Sequence, residues 1–128
     1  MIRPQYHGRH TPDGFLVWDV RKLLQQVADL PVVEVELESI AELDENWWYQ
    51  GANDVPSGRS IAEHYKLIQA VDLTYPILLC ADGRLMDGMH RLLKAYCEGR
   101  STILARRLER TPPPDFVNVD LADLPYDA

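Results

Sequence analysis

The run from Tyr75 to Arg107 constrains the fold of this chain more than any other stretch. Pro76-Ile77-Leu78-Leu79-Cys80-Ala81 is an apolar run, Asp82-Gly83 is a turn signal, and Arg84-Leu85-Met86 is a second short run. That order predicts a tight β-hairpin. Asp87-Gly88-Met89-His90-Arg91 follows, and from Met89 onward Leu92, Leu93, Tyr96 and Cys97 recur at helical spacing. Asp87 is the expected N-cap, and Gly99 stands where a glycine closes a helix. A helix start offers free backbone amides to an anion. With His90 and Arg91 in the first turn and Lys94 one turn later, the sequence predicts a phosphate-binding corner. The bland alternative is a structural knot in which His90 and Arg91 pair with Asp87 or with acids elsewhere.

Strand, Asp-Gly, strand, Asp87-Gly88-x-His90-Arg91, helix, Gly99 and the strand Thr102–Arg107 together resemble the core of the ParB/sulfiredoxin-like superfamily. The similarity spans Leu30 to Glu109 if Val32–Leu37 is the first strand. The resemblance implies a single α+β domain, with a small mixed β-sheet packed with helices. It also implies a corner that binds nucleotide phosphates: CTP in ParB, ATP in sulfiredoxin, ADP in the free serine kinases. In that reading Gly88 lets the chain approach closely and the amides of Met89 to Arg91 cradle phosphate. His90 donates a hydrogen bond, Arg91 and Lys94 add charge, Asp87 caps the helix or helps hold Mg²⁺, and His64 lines the cleft. Sulfiredoxins carry a cysteine before the histidine. Here the residue is Met89, whose thioether is no nucleophile, so that chemistry is not expected. A kinase-like activity would need a general base, for which Asp44 and Glu45 are the candidates. The expected function is nucleotide binding, with small-molecule phosphotransfer or NTP hydrolysis as its extension toward an unknown acceptor. A non-catalytic nucleotide-responsive or protein-interaction module is the alternative. A nuclease-like or nucleic-acid-binding protein is the second alternative, and it would act through Arg84, Arg100, Arg106 and Arg107.

Composition bounds these readings. At 128 residues and 46% apolar the chain can bury one core, so one domain is expected. The formal net charge of −7 opposes nucleic acid overall. Its distribution is uneven: residues 29–54 hold acids and no Lys or Arg, whereas basic residues dominate 84–110 around the corner. No run reaches the roughly 18 apolar residues of a membrane span, and the first residues lack the apolar block of a signal peptide. A cytoplasmic protein is the expectation, with oligomerisation left open. Cys80 and Cys97 are too few for a disulfide framework and are expected as buried thiols.

In chain order, residues 1–14, broken by Pro4, Pro12 and Gly14, are expected as a flexible arm before a domain at 15–110. His7 and His10 lack the further ligands of a closed metal site. Val17, Val20, Leu23, Leu24, Val27 and Leu30 predict an amphipathic helix capped by Asp19, with the residues before it extended. Val33, Val35 and Leu37 alternate with Glu34, Glu36 and Glu38, the pattern of a half-buried strand whose acidic face suits a sheet edge. A short helix is expected over Ser39–Leu43. Trp47-Trp48-Tyr49 reads as an apolar plug under a loop, or else as a stacking platform beside Asp44 and Glu45. Ser60 and Glu63 read as a capping box for a helix to about Val71 that packs Ile61, Tyr65, Leu67, Ile68 and Val71 into the core. After Thr111-Pro112-Pro113-Pro114, the acidic but apolar-rich tail 111–128 is expected to pack across the domain.

Overall fold

The computed structural model describes residues 6–51 and 54–125. Along the chain run β1 (Tyr6–Thr11), β2 (Gly14–Asp19), α1 (Val20–Val27), β3 (Val33–Glu36), two 3₁₀ turns (Leu37–Ser39 and Ala41–Asp44), α2 (Gly58–Ala70), β4 (Ile77–Leu79), β5 (Leu85–Asp87), α3 (Met89–Cys97), β6 (Thr102–Arg107) and β7 (Phe116–Val117), with a last 3₁₀ turn at Leu121–Asp123. The class is α+β. The strands divide into a mixed four-stranded sheet of order β3-β6-β4-β5 and an antiparallel three-stranded sheet of order β1-β2-β7.

The four-stranded sheet explains the apolar run at its centre. Alternate side chains of a strand leave opposite faces. Ile77, Leu79 and Leu85 enter one core with Met89, Leu92 and Ala95 of α3, Leu37, Ile40, Ile103 and Ala105. Leu78, Cys80 and Met86 enter a second core with Trp18, Leu23, Val27 and Leu108 on the α1 side. A strand covered on both faces has no polar side. Each fully buried leucine or isoleucine contributes about 1.5–3 kcal/mol.

β4 pairs antiparallel with β5 and parallel with β6. Among the described residues β3 pairs only with β6, so its acidic strand is a sheet edge as the alternation implies. Gly99, at φ +73°, closes α3 as its spacing predicts, with Gly99 N donating to Tyr96 O and Arg100 N to Ala95 O, the paired bonds of a Schellman end.

Several expectations are corrected. Of the expected arm, residues 1–5 lie outside the described residues, but Tyr6–Thr11 is a strand paired along its length with β2. The helix expected after an extended lead-in runs Val20–Val27, ending before Leu30. Asp19 does cap it, accepting from Arg21 N at 3.0 Å, with β2 extended before it. Helix α2 starts one turn earlier than the capping-box reading: Ser57 is the N-cap and accepts from Ser60 N, while Ser60 Oγ lies 3.1 Å from Tyr49 Oη. Ile61 and Tyr65 are 54% and 58% exposed instead of core residues, because α2 packs against α3 through its other side. Cys80 is buried but Cys97 is exposed. The short helix expected over Ser39–Leu43 is two 3₁₀ turns. The tail does pack on the domain as far as Pro125: Phe116–Val117 adds to β2, and Leu124 joins Tyr6 and Val17 in a third small core. Tyr126, expected to pack with it, lies outside the described residues. Among the described residues, no helix is long and apolar enough to cross a membrane.

Candidate functional site

The corner at the start of α3 is built by Gly88. Its φ of +112° is a conformation open to glycine, and a Cβ there would stand 2.6 Å from Ile77 Cγ2. Gly88 is therefore the N-cap, with no side-chain cap, and Asp87, expected to cap, ends β5 instead. Met89, His90 and Arg91 form the first helical turn, whose amides have no acceptor within the helix.

The two cations of the corner are turned onto the protein. Arg91 Nη1 donates to Tyr75 O at 3.2 Å and Pro76 O at 2.6 Å, and Nη2 pairs with Asp87 Oδ2 at 3.1 Å. Lys94 Nζ donates to Gln69 O and Val71 O, at 3.1 and 2.8 Å, and so closes the C-terminal end of α2. For Arg91 and Asp87 the salt-bridge knot weighed from sequence is what forms.

His90 and His64 meet instead. His64 Nδ1 and His90 Nε2 are 2.9 Å apart, and the Trp48 ring stacks on both, with centroids 3.6 Å from His64 and 4.9 Å from His90. Burial, with the nearby His64 and Arg91, holds His90 down at about 4, and burial also lowers His64. Both rings are thus neutral near pH 7, and a bond between two neutral imidazoles takes one proton. The donor ring then keeps a lone pair on its outer nitrogen and the acceptor ring keeps an N–H on its own. The pair presents one acceptor and one donor, at His64 Nε2 and His90 Nδ1.

The candidate general bases stand elsewhere. Asp44 is exposed, and Glu45 pairs with Arg84 at 2.7 Å. Among the described residues, no hydrogen bond or ion pair links either one to residues 87–94. The carboxylate that matters structurally here is Glu42, which sequence reasoning passed over. It is 2% exposed, accepts from Leu85 N at 3.0 Å and meets Arg84 Nη2 at 2.7 Å. Also missed is a polar cluster between the sheets, where His7 lies between Trp18 and Trp47. Its signal in the sequence was His7 and Arg9 two apart, which puts both on one face of a strand.

Hollows of about 470 and 540 Å³ lie by the far end of α3, around Arg100 and Thr102, and of the corner residues only Lys94 lines either. Among the described residues, no group of three or more His, Cys, Asp or Glu could hold a metal ion. The four arginines suggested for nucleic acid are all engaged: Arg84 with Glu42 and Glu45, Arg100 with Glu98, Arg106 with Leu30 O and Arg107 with Ala81 O.

No family model, no curated protein and no solved structure matches this chain.

Proposed function

We propose that the chain is a nucleotide-binding domain of the ParB/sulfiredoxin-like kind, with phosphate held at the start of α3. The observation that supports this most directly is the left-handed Gly88 turn, which opens α3 beside the His64–His90 pair under Trp48. In this reading the amides of Met89, His90 and Arg91 and the outer N–H of the imidazole pair meet the phosphate oxygens. Arg91 and Lys94 position the corner, since their donors are already spent on protein acceptors. Any Mg²⁺ enters with the nucleotide. Phosphotransfer to an acceptor, or NTP hydrolysis, would draw its base from Asp44 or Glu45, which therefore have to move toward the corner.

Calorimetric titration with ATP, ADP, CTP and GTP, each with Mg²⁺, tests the reading on the wild type and on His90→Ala. Saturable binding of one nucleotide that His90→Ala weakens is the expected result. Failure of all four to bind, or binding that His90→Ala leaves unchanged, overturns it. If a nucleotide binds, unchanged turnover in both Asp44→Asn and Glu45→Gln would remove the kinase and hydrolase extension. A second reading, a protein-interaction module, is favoured by α2, which buries no residue fully and exposes Ile61 and Tyr65, with Val55 exposed in the segment that leads into it.

A further inference from the structure

His7 and Arg9 alternate with Gly8 on β1, so both side chains leave the same face of the strand. That face is turned inward. His7 is 6% exposed, and its ring stacks between Trp18 and Trp47 at centroid distances of 5.8 and 5.4 Å. The Arg9 guanidinium lies over the same Trp18 ring, 5.5 Å from its centroid, and Nη1 reaches Cys80 Sγ at 3.9 Å. Two polar atoms in this cluster are fully buried and lack a hydrogen-bond partner, His7 Nε2 and Arg9 Nη2. Buried polar groups in folded proteins are satisfied as a rule, so two orphans against one indole point to something that would satisfy both.

We propose that His7 and Arg9 form a site for a small planar oxyanion, of the carboxylate or nitrate kind, above the thiol of Cys80. The sign of the ligand follows from Arg9. It stays protonated, and among the described residues it has no carboxylate partner, whereas Arg21, Arg84, Arg91 and Arg100 each have one. The geometry of the ligand follows from the fork. Nη1 is taken by the thiol and Nη2 is open, so one oxygen of the anion accepts from Nη2 and a second accepts from His7 Nε2, in the tautomer that carries its proton there. The thiol belongs to the same field: burial raises Cys80, but the amides of Arg84 and Asp82 together with Arg9 outweigh it and leave the group below its ordinary value.

Trp18 and Trp47 report on the site directly once the third indole is removed, so the experiment is run on Trp48→Phe. Sodium formate and sodium nitrate are titrated separately, with chloride making up the ionic strength, while tryptophan fluorescence and melting temperature are followed. A saturable fluorescence change and a raised melting temperature are expected with either ion. Response to formate alone assigns a carboxylate ligand, and response to both assigns the wider oxyanion class. Arg9→Gln abolishes the response. Arg9→Lys, which keeps the charge but not the fork, weakens it roughly tenfold or more, the loss of one charge-assisted hydrogen bond. His90→Ala leaves it intact. No saturable response to either ion means that the orphans hold water alone and overturns the proposal. An unchanged response in Arg9→Gln, or its loss in His90→Ala, overturns it equally. Should Arg9→Gln fail to show a folded circular dichroism spectrum, Arg9→Lys decides by the same criterion.

Discussion

Acid should destabilise this protein through His7, by an amount that can be worked from its burial. Desolvation, aided by the charges of Arg9 and Arg84, holds His7 at about 3 in the folded chain, against 6.5 when exposed. Between those values the unfolded chain binds a proton that the folded chain refuses. Stability contributed by the neutral ring is therefore complete above pH 6.5 and lost as pH falls toward 3. The slope is about 1.4 kcal/mol per pH unit, so by pH 4.5 the loss from this one group is about 2.7 kcal/mol. That figure barely depends on the folded value: moving it up a full unit changes the result by under about 0.2 kcal/mol. The comparison protein is His7→Phe, which keeps a ring between the indoles but does not titrate. Urea unfolding of both proteins at intervals from pH 7.5 to 4.5 gives two stability curves. The carboxylates, His64 and His90 act in both and cancel in the difference. The wild type should lose about 2.7 kcal/mol more than His7→Phe across the range. Parallel curves would show that His7 takes its proton freely in the folded state, and the burial argument would fail.

Three further outcomes follow from the packing. Glu42→Leu should cost roughly 1–3 kcal/mol in urea unfolding, because it leaves the Leu85 amide unsatisfied, while Glu45 still holds the Arg84 side of the pair; a neutral effect would mean that the amide finds another acceptor. Gly88→Ala should cost about 2–4 kcal/mol, combining a left-handed backbone with a Cβ driven into Ile77, and a melting temperature equal to wild type would refute the close approach. Ser57→Ala should lower stability by about 1 kcal/mol as a lost N-cap, and more than Ser60→Ala does; the reverse order would restore Ser60 as the cap.

The hairpin at Asp82-Gly83, helix α3 and its Gly99 end were legible because each carries a local signal: a turn dipeptide, a helical repeat, a residue suited to positive φ. β1 was not legible, for a physical reason. The face that meets Trp18 and Cys80 carries His7 and Arg9 and so has no apolar member to mark it, while the opposite face buries only Tyr6, beside Gly8 and an exposed His10. For α2 the helical repeat was real, but a hydrophobic stripe does not say whether a neighbour covers it. Ile61 and Tyr65 remain outside because α3 meets the helix elsewhere. At the candidate site, the four-residue spacing of Asp87 and Arg91 was legible as a pair, and that pair forms. The sequence could not tell which acceptors Arg91 and Lys94 would find, since Tyr75 O, Pro76 O, Gln69 O and Val71 O are backbone atoms brought there by tertiary packing. The meeting of His64 with His90, 26 residues apart, is of the same kind.

The small sheet β1-β2-β7 joins segments from opposite ends of the chain, and this bears on the order in which the protein assembles. Tyr6 Oη donates to Pro125 O across 119 residues, and Phe15 N to Asn118 Oδ1 across 103. Closing a flexible loop of that length costs about 4 kcal/mol from its length alone. The β4–β5 hairpin, α3 and the β1–β2 hairpin close over a few residues each and face no such barrier. They are positioned to form early and shorten the free chain, leaving the docking of β7 and the tail as the late step. The edge that β7 covers on β2 is then the last backbone of this sheet to be protected from hydrogen exchange during refolding, and the first to open when the folded protein breathes.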